Sequence, residues 1–352
     1  MVLAEDGPLA SRLIAAGATV EVLPLSERTR NLRKDGLGSG LPPIGAIADT
    51  ATYVFRLARR LRQINPDLVH TNTLKAGVYG SLAARLARLP VVWHVRDRIA
   101  TDYLSRPAVL AIRAMIATIP NAVIANSEAT RSTLWRTPAN TCVVHSIVAA
   151  PAGDAASTPH RTDERFVVGM VGRIARWKGQ DVFLRAFAQA FRDGTELAVI
   201  VGEAMFGDDE VRYGEELRAL AGELGIADRV EFRGFRDDVW VELEAMDVLA
   251  HASLSAEPFG QVIVEAMLAG VPVVAAAGGG PSEIVTDGVD GLLYPAGDVD
   301  ALALALERLR GDGVLRARFS EAGAVRAQNF SPRAAAGGVM ALYNGVVADA
   351  VG

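Results

Sequence analysis

The sequence predicts an α/β protein made of two doubly wound domains facing each other across a cleft. Short apolar, β-rich runs alternate with helical patterns along all 352 residues. The runs are continuous rather than alternating, the pattern of strands covered on both faces in parallel sheets. One stretch, residues 149–164 (AAPAGDAASTPHRTDE), is rich in Ala, Pro, Ser and charge and has no periodicity, so it reads as a linker.

In the first half the strand candidates are residues 19–23, 67–70, 91–94, 122–125 and 141–145. In the second they are 166–171, 196–201, 229–233, 248–252 and 271–275. Residues 51–63 form an amphipathic helix with Val54, Leu57, Ala58 and Leu61 on one face and arginines on the others. The expected division is a domain over 1–150, a linker over 151–164, a second domain over 165–328, and a closing helix over 329–352 that crosses back onto the first domain. Ligands of such sheets bind beyond the carboxyl ends of the strands. The chemistry is therefore sought in the loops that follow them.

Composition narrows the classes. Half the residues are hydrophobic and 22% are charged, as in globular proteins. The opening Met-Val-Leu-Ala-Glu-Asp lacks a basic region and a cleavage site, which argues against a secretory leader. The most apolar long window, residues 107–125, is broken by Arg113 and Pro120, too interrupted for a membrane span. A single cysteine, Cys142, excludes an internal disulfide framework and fits a reducing, cytoplasmic setting. The five histidines show no metal-ligand spacing, so no structural zinc is expected. Charge is uneven: residues 1–160 hold 18 basic and 11 acidic side chains, net +7, while the remainder holds 18 and 30, net −12. Such asymmetry points to a partner of preferred charge. Only Lys34, Lys75 and Lys178 are lysines among 36 basic residues.

Two loops stand out. Gly172-Arg173-Ile-Ala-Arg-Trp-Lys178-Gly179 follows the candidate strand at 166–171. Arg173 and Lys178, five apart on a turn that opens a helix, can both reach one diphosphate, with the helix N-terminus adding amides. The alternatives are a solvated basic turn or a dinucleotide fold, but the latter requires G-x-G-x-x-G at the helix start, and that is lacking. The second loop is Ser255-Ala-Glu257-Pro258-Phe259-Gly260, with a helix from about Gln261. Gly260 permits close backbone approach, and the amides of Phe259, Gly260 and Gln261 are first-turn donors for an anion. Glu257 can accept from sugar hydroxyls, and Glu265 can take both hydroxyls of a ribose. Taken alone, Glu265 also fits a glutamate favoured by the helix dipole.

Glu257-Pro-Phe-Gly-(four residues)-Glu265-Ala-Met, with the upstream Gly172-Arg173-(four residues)-Lys178-Gly179, resembles the retaining nucleotide-sugar glycosyltransferases of family 4, which have the GT-B fold of two Rossmann-like domains. Gly278-Gly-Gly-Pro-Ser-Glu283-Ile-Val, Asp287-Gly and Asp290-Gly-Leu-Leu-Tyr294 match the same family's C-terminal domain. The resemblance covers nearly the whole chain and is specific in the second half. It implies Arg173 and Lys178 on a donor diphosphate, Glu257 on the donor hexose and Glu265 on the ribose. His94, in Val-Val-Trp-His94-Val-Arg96-Asp97, matches the family's histidine facing the transferred sugar, against the alternative of a core histidine. Asn72, Lys75 and Arg96 are candidates for the acceptor side, and Arg96 and Asp97 are a candidate pair of their own. In Asn126-Ser-Glu128 the expectation is a capped helix start.

The family implies hexose transfer from a nucleotide-diphosphate sugar, a substrate rather than a cofactor, to a hydroxyl with retention and without a metal. The acceptor is a sugar, a lipid-linked glycan or a small molecule; no nucleic acid is expected. An epimerase or hydrolase on the same fold is a rival reading, as is a sugar-nucleotide-binding protein with impaired catalysis. Arg28, Arg30, Arg33 and Lys34, followed by Arg56, Arg59, Arg60 and Arg62, are either a solvated face or a peripheral contact with an anionic membrane. In the resembled family a strand and a glycine-rich loop precede the first helix. The opening Met1–Leu9 looks instead like that family's second strand, about 35 residues further on by the size of a strand–helix unit. An incomplete N-terminal sheet is therefore expected, with residues 2–4 as a strand beside a gap or a collapsed neighbour. Weak activity, a complete second domain and a last helix near residues 332–347 are expected with it.

Overall fold

The computed structural model describes residues 1–27, 44–102, 104–150 and 165–351. By contacts the chain divides into two units. The first comprises Met1–Asn126, Thr130–Val143 and Val339–Gly352; the second comprises Ser127–Ala129 and Val144–Gly338.

In the first unit β1 (Val2–Leu3) pairs in parallel with β2 (Glu21–Val22) across the helix Pro8–Ala15. These two strands form a sheet of their own. A second sheet, all parallel, runs β3 (Val69–Thr71), β4 (Val91–Val95), β5 (Ala122–Ala125) and β6 (Asn140–Val143). The helices Ile44–Ile64, Leu74–Ala87 and Arg106–Thr118 connect or precede these strands. Val54, Leu57, Ala58 and Leu61 are buried, as their spacing predicts, and they pack with Tyr79 and Ala83 of the next helix.

The second unit carries six parallel strands in the order β12-β11-β10-β7-β8-β9. They are β7 (Val167–Val171), β8 (Leu197–Val201), β9 (Val230–Gly234), β10 (Val248–His251), β11 (Val273–Ala277) and β12 (Leu292–Pro295). Strand alternation sorts the side chains into two cores. Val168, Met170, Ala198, Ile200, Val248, Ala250, Val274 and Ala276 face one layer of helices. Val167, Leu197, Val199, Leu249, Val273 and Ala275 face the other. Burial on both faces is what makes these runs continuously apolar.

Several strand expectations are corrected. β11 begins at Val273, not Val271, because Pro272 has no N–H and serves instead through its carbonyl, which accepts from Leu249 N at 2.9 Å. β12 has no counterpart among the sequence-predicted strands. It is four residues long, ends in Pro295 and lies at the sheet edge, where a proline is tolerated. The expected strand at 19–23 reduces to Glu21–Val22, and the last helix runs Pro332–Val351. The strand order of the large sheet reverses between β7 and β10, so the loops leaving those two adjacent carboxyl ends form the natural ligand position of the unit.

Candidate active site

The loop after β7 is built around backbone contacts. Gly172 N donates to Val201 O at 2.9 Å and Ile174 N to Glu203 O at 3.0 Å. A short helical turn, Arg176–Lys178, then closes on Gly179, whose φ is +73°. A side chain at Gly179 would also collide with the Ala252 carbonyl, so both conformation and space require glycine. Leu254 N donates to Trp177 O at 2.8 Å and ties this loop to the one after β10.

That tie brings Lys178 Nζ to 2.6 Å from Glu257 Oε1. Glu257 is 6% exposed, and its Oε1 also accepts from His251 Nε2 at 3.0 Å and from the Ser253 hydroxyl. Burial pushes the Glu257 carboxyl up, but His251 and Lys178 outweigh it and hold the group well below the usual carboxylate range. Folding thus favours the ionised form. Its contribution to stability is complete above the ordinary carboxylate pKa and is lost as pH falls through the depressed value.

The backbone of Glu257 is fixed by the glycine-rich run. Gly280 N donates to Glu257 O at 2.9 Å, and Gly279 forms an isolated bridge with Glu257. Gly279 has φ +66°, and a Cβ there would strike the Glu257 backbone. Gly260, at φ +104°, opens the helix Gln261–Leu268 with no side-chain cap. Pro258 lies between, half-buried, and the Phe259 ring packs in the core against Phe330 at 5.4 Å, leaving only its amide for a ligand. Gln261 is exposed. Glu265 is half-buried on the same helix, and burial raises its pKa. Among the described residues its carboxylate has no hydrogen-bond or ion-pair partner, in contrast to that of Glu257.

Arg173 lies 3.3 Å through Nε from Glu210 Oε1, with its guanidinium 4.6 Å from the Phe206 ring centroid. Glu210 also accepts the amides of Met205 and Phe206, at 3.0 and 2.9 Å. Sequence reasoning missed Glu210, Phe206, His251 and Ser253. A histidine closing a parallel strand beside the Glu257 loop was a usable signal for His251; nothing local pointed to Glu210. Asp287 and Asp290 are turn residues, accepting from Leu293 N and Thr286 N. Glu283 accepts the amides of Glu128 and Ala129 at 2.8 and 2.7 Å and lies 3.1 Å from His145 Nε2. The helix start at Glu128 therefore has a carboxylate partner from far along the chain, beyond the local Asn126 or Ser127 cap that its sequence suggests.

In the first unit His94 lies on β4 with its Nε2 buried and without a partner. Burial, then Arg96 and His70, push its pKa down to about 3, so the ring is neutral. The His70 ring lies 5.4 Å away, with Tyr343 Oη 2.6 Å from His70 Nδ1. Burial lowers the Arg96 pKa and Asp97 opposes that shift. Asn72 and Lys75 are exposed beyond the end of β3, where Thr73 caps the helix Leu74–Ala87. Of the arginine-rich face, Arg28, Arg30, Arg33 and Lys34 lie outside the described residues. Arg56 and Arg59 are exposed, Arg60 is paired with Glu21 at 2.7 Å, and Arg62 donates to Leu86 O. No helix among the described residues is long and apolar enough to cross a membrane.

Known proteins match in both halves. The family described as Glycosyltransferase Family 4 matches residues 9–149, and the one described as Glycosyl transferases group 1 matches residues 155–326. The lipopolysaccharide core biosynthesis glycosyltransferase LpsD of Rhizobium meliloti is 30% identical over 296 residues, covering 84% of this chain and 80% of LpsD. LpsE of the same organism, a lipopolysaccharide core biosynthesis glycosyltransferase, is 37% identical over 157 residues. That match covers 45% of this chain but only 43% of LpsE, so the chain spans less than half of that relative's length. Anabaena Alr3699/HepE, solved in complex with UDP and glucose, is 29% identical with a TM-score of 0.80, covering 99% of this chain and 90% of HepE. Two α/β units with parallel sheets, two adjoining family matches and a relative covered over four-fifths of its length lead to one assignment: the chain belongs to the group 1 glycosyltransferases and has the GT-B fold.

Proposed function

We propose that this protein is a retaining hexosyltransferase that moves a sugar from a nucleotide-diphosphate donor to a hydroxyl acceptor of a glycan or lipid-linked glycan. The observation that carries the reading is the meeting of Lys178 and Glu257 at the switch point between β7 and β10, beside the uncapped helix start at Gly260. Arg173, Lys178 and the first-turn amides are assigned to the diphosphate, where they stabilise charge growing on the leaving group. This set supplies the positive charge from side chains and backbone, so the reading assigns no step to a metal. Glu257, held ionised, is unsuited to be the general acid of a retaining glycosidase. A same-face displacement fits instead, in which the leaving phosphate takes the acceptor proton and the new glycosidic bond forms as the old one breaks. His94, neutral, is assigned to the transferred sugar, and Asn72, Lys75 and Arg96 to the acceptor side. The UDP and glucose bound by HepE make UDP-glucose the first donor to test.

The test is a thermal-shift panel of UDP-, GDP- and dTDP-sugars, followed by turnover with and without acceptor hydroxyls. Nucleotide diphosphate release that does not depend on an acceptor would favour a hydrolase. Glu265→Ala is expected to weaken binding of free nucleotide diphosphate, because the unpaired Glu265 is assigned to the ribose. Glu257→Ala is expected to weaken chiefly the complete nucleotide sugar. Calorimetric titration of both ligands checks this, and wild-type affinity in both variants would refute the one-carboxylate-per-sugar assignment.

The acceptor side carries a second expectation. Arg56 and Arg59 are exposed on the helix Ile44–Ile64 around Phe55, itself 65% exposed, a surface suited to an anionic bilayer. Co-sedimentation with anionic but not neutral vesicles, weakened by salt, is the expected result. Equal binding to both vesicle types would count against it.

A further inference from the structure

Three donors converge on a single oxygen of Glu257. Lys178 Nζ at 2.6 Å, His251 Nε2 at 3.0 Å and the Ser253 hydroxyl all reach Oε1, and among the described residues none reaches Oε2. A carboxylate that only needed its charge compensated would spread such contacts over both oxygens, since each offers about two acceptor sites. Here one oxygen is saturated and the other is left with its full capacity. The His251 ring supports the same view. It is 5% exposed, and its Nδ1 is buried with no partner. A buried ring nitrogen without a partner is unfavourable, so the placement of this imidazole is not explained by satisfying its own polar atoms. What its position does secure is the bond from Nε2 to Glu257.

We infer that His251 and Ser253 are positioning residues for donor-sugar recognition: with Lys178 they pin Oε1 of Glu257 and so present Oε2 to hydroxyls of the transferred sugar. The inference rests on the donor reading above and adds its substrate class. One free carboxylate oxygen with two lone pairs suits a pyranose carrying two neighbouring hydroxyls. His251 and Ser253 are needed because Lys178 is also assigned to the diphosphate. When Lys178 turns part of its donor capacity to the phosphates, these two still hold Oε1. His251 is the last residue of β10, a strand buried over its whole length, and Ser253 follows two residues later, itself buried, so both donors are held against the end of the sheet. Glu257 sits on a loop and borrows the sheet's rigidity.

The experiment compares UDP-glucose with UDP, GDP-mannose with GDP, and dTDP-glucose with dTDP, using calorimetry on the full chain. The pair that binds wild type best is then titrated into Ser253→Ala, His251→Leu and His251→Gln. Loss of a hydrogen bond to a charged group is expected to weaken the nucleotide sugar by about tenfold to a hundredfold in Ser253→Ala and His251→Leu. The nucleotide diphosphate should stay within about twofold of wild type. His251→Gln, which keeps an N–H donor at similar reach, should recover most of the loss. A purely structural role would instead move both dissociation constants and the melting temperature together. That result, or unchanged sugar affinity in folded Ser253→Ala, overturns the inference. Should His251→Leu not fold, Ser253→Ala carries the test alone. Wild type that binds none of the six ligands would sink the donor reading and this inference with it. Donor binding with an unaffected sugar contribution in the variants would sink only the inference.

Discussion

Lys178→Ala is expected to lower turnover on the order of 10²–10³-fold, and Arg173→Ala to do nearly the same. Both cations belong to the loop after β7, and the proposed role of each is to meet charge that appears on the leaving diphosphate as the sugar departs. Such an interaction is stronger in the transition state than in the ground state, so its loss falls on kcat more than on donor affinity. The fold should survive. Glu257 keeps His251 and Ser253 when Lys178 is gone, and Glu210 keeps the amides of Met205 and Phe206 when Arg173 is gone. Initial rates of nucleotide diphosphate release under saturating donor, with circular dichroism as the control for folding, decide the matter. A loss of less than fivefold in both folded variants would remove these residues from the diphosphate.

Gly279→Ala should destabilise the fold by about 2–4 kcal/mol, from left-handed strain and the collision with a fixed backbone. The position has φ +66°, and its neighbour in the collision is the main chain of Glu257 rather than a movable side chain. The damage therefore reaches the site: the bridge from Gly279 to Glu257 and the bond from Gly280 N would both shift. Urea unfolding of this variant should give a clearly lower midpoint, and nucleotide-sugar binding should weaken with it. Gly222→Ala provides the contrast, since nothing lies within 4 Å of a Cβ there and the residue is helical. A midpoint in Gly279→Ala as high as in Gly222→Ala would show that the glycine run does not seat Glu257.

The sheets were legible in the sequence because burial on both faces leaves a run such as Val248–His251 without a polar residue until its end. The same logic hid β12, where Leu-Leu-Tyr-Pro at an edge is too short and too close to glycine turns to stand out. Two-residue strands such as Val2–Leu3 were legible only roughly, since so few ladder bonds define them. Spacing placed Arg173, Lys178, Glu257 and Glu265 on the two loops and the helix that the structure brings together at the β7 and β10 ends. The partners of those residues were not legible. Glu210 meets Arg173 only because β7 and β8 are neighbours, and Glu283 meets the Glu128 and Ala129 amides from about 150 positions away, a contact no local pattern encodes. His251 was within reach of sequence reasoning but looked like one more residue of a buried strand.

The pairing of Arg173 with Glu210 and of Lys178 with Glu257 has a consequence for selectivity. Neither cation waits bare for a ligand, so an arriving anion takes part in an exchange of partners rather than filling a positive hole. A ligand with one anionic group, such as inorganic phosphate, can replace one carboxylate and gains little over the internal pair. A ligand with two linked phosphoryl groups can replace the second once the first is engaged, at the high effective concentration that a short covalent link provides. On the proposed donor reading, the internal carboxylates act as competitors built into the protein, and they favour diphosphates over monophosphates.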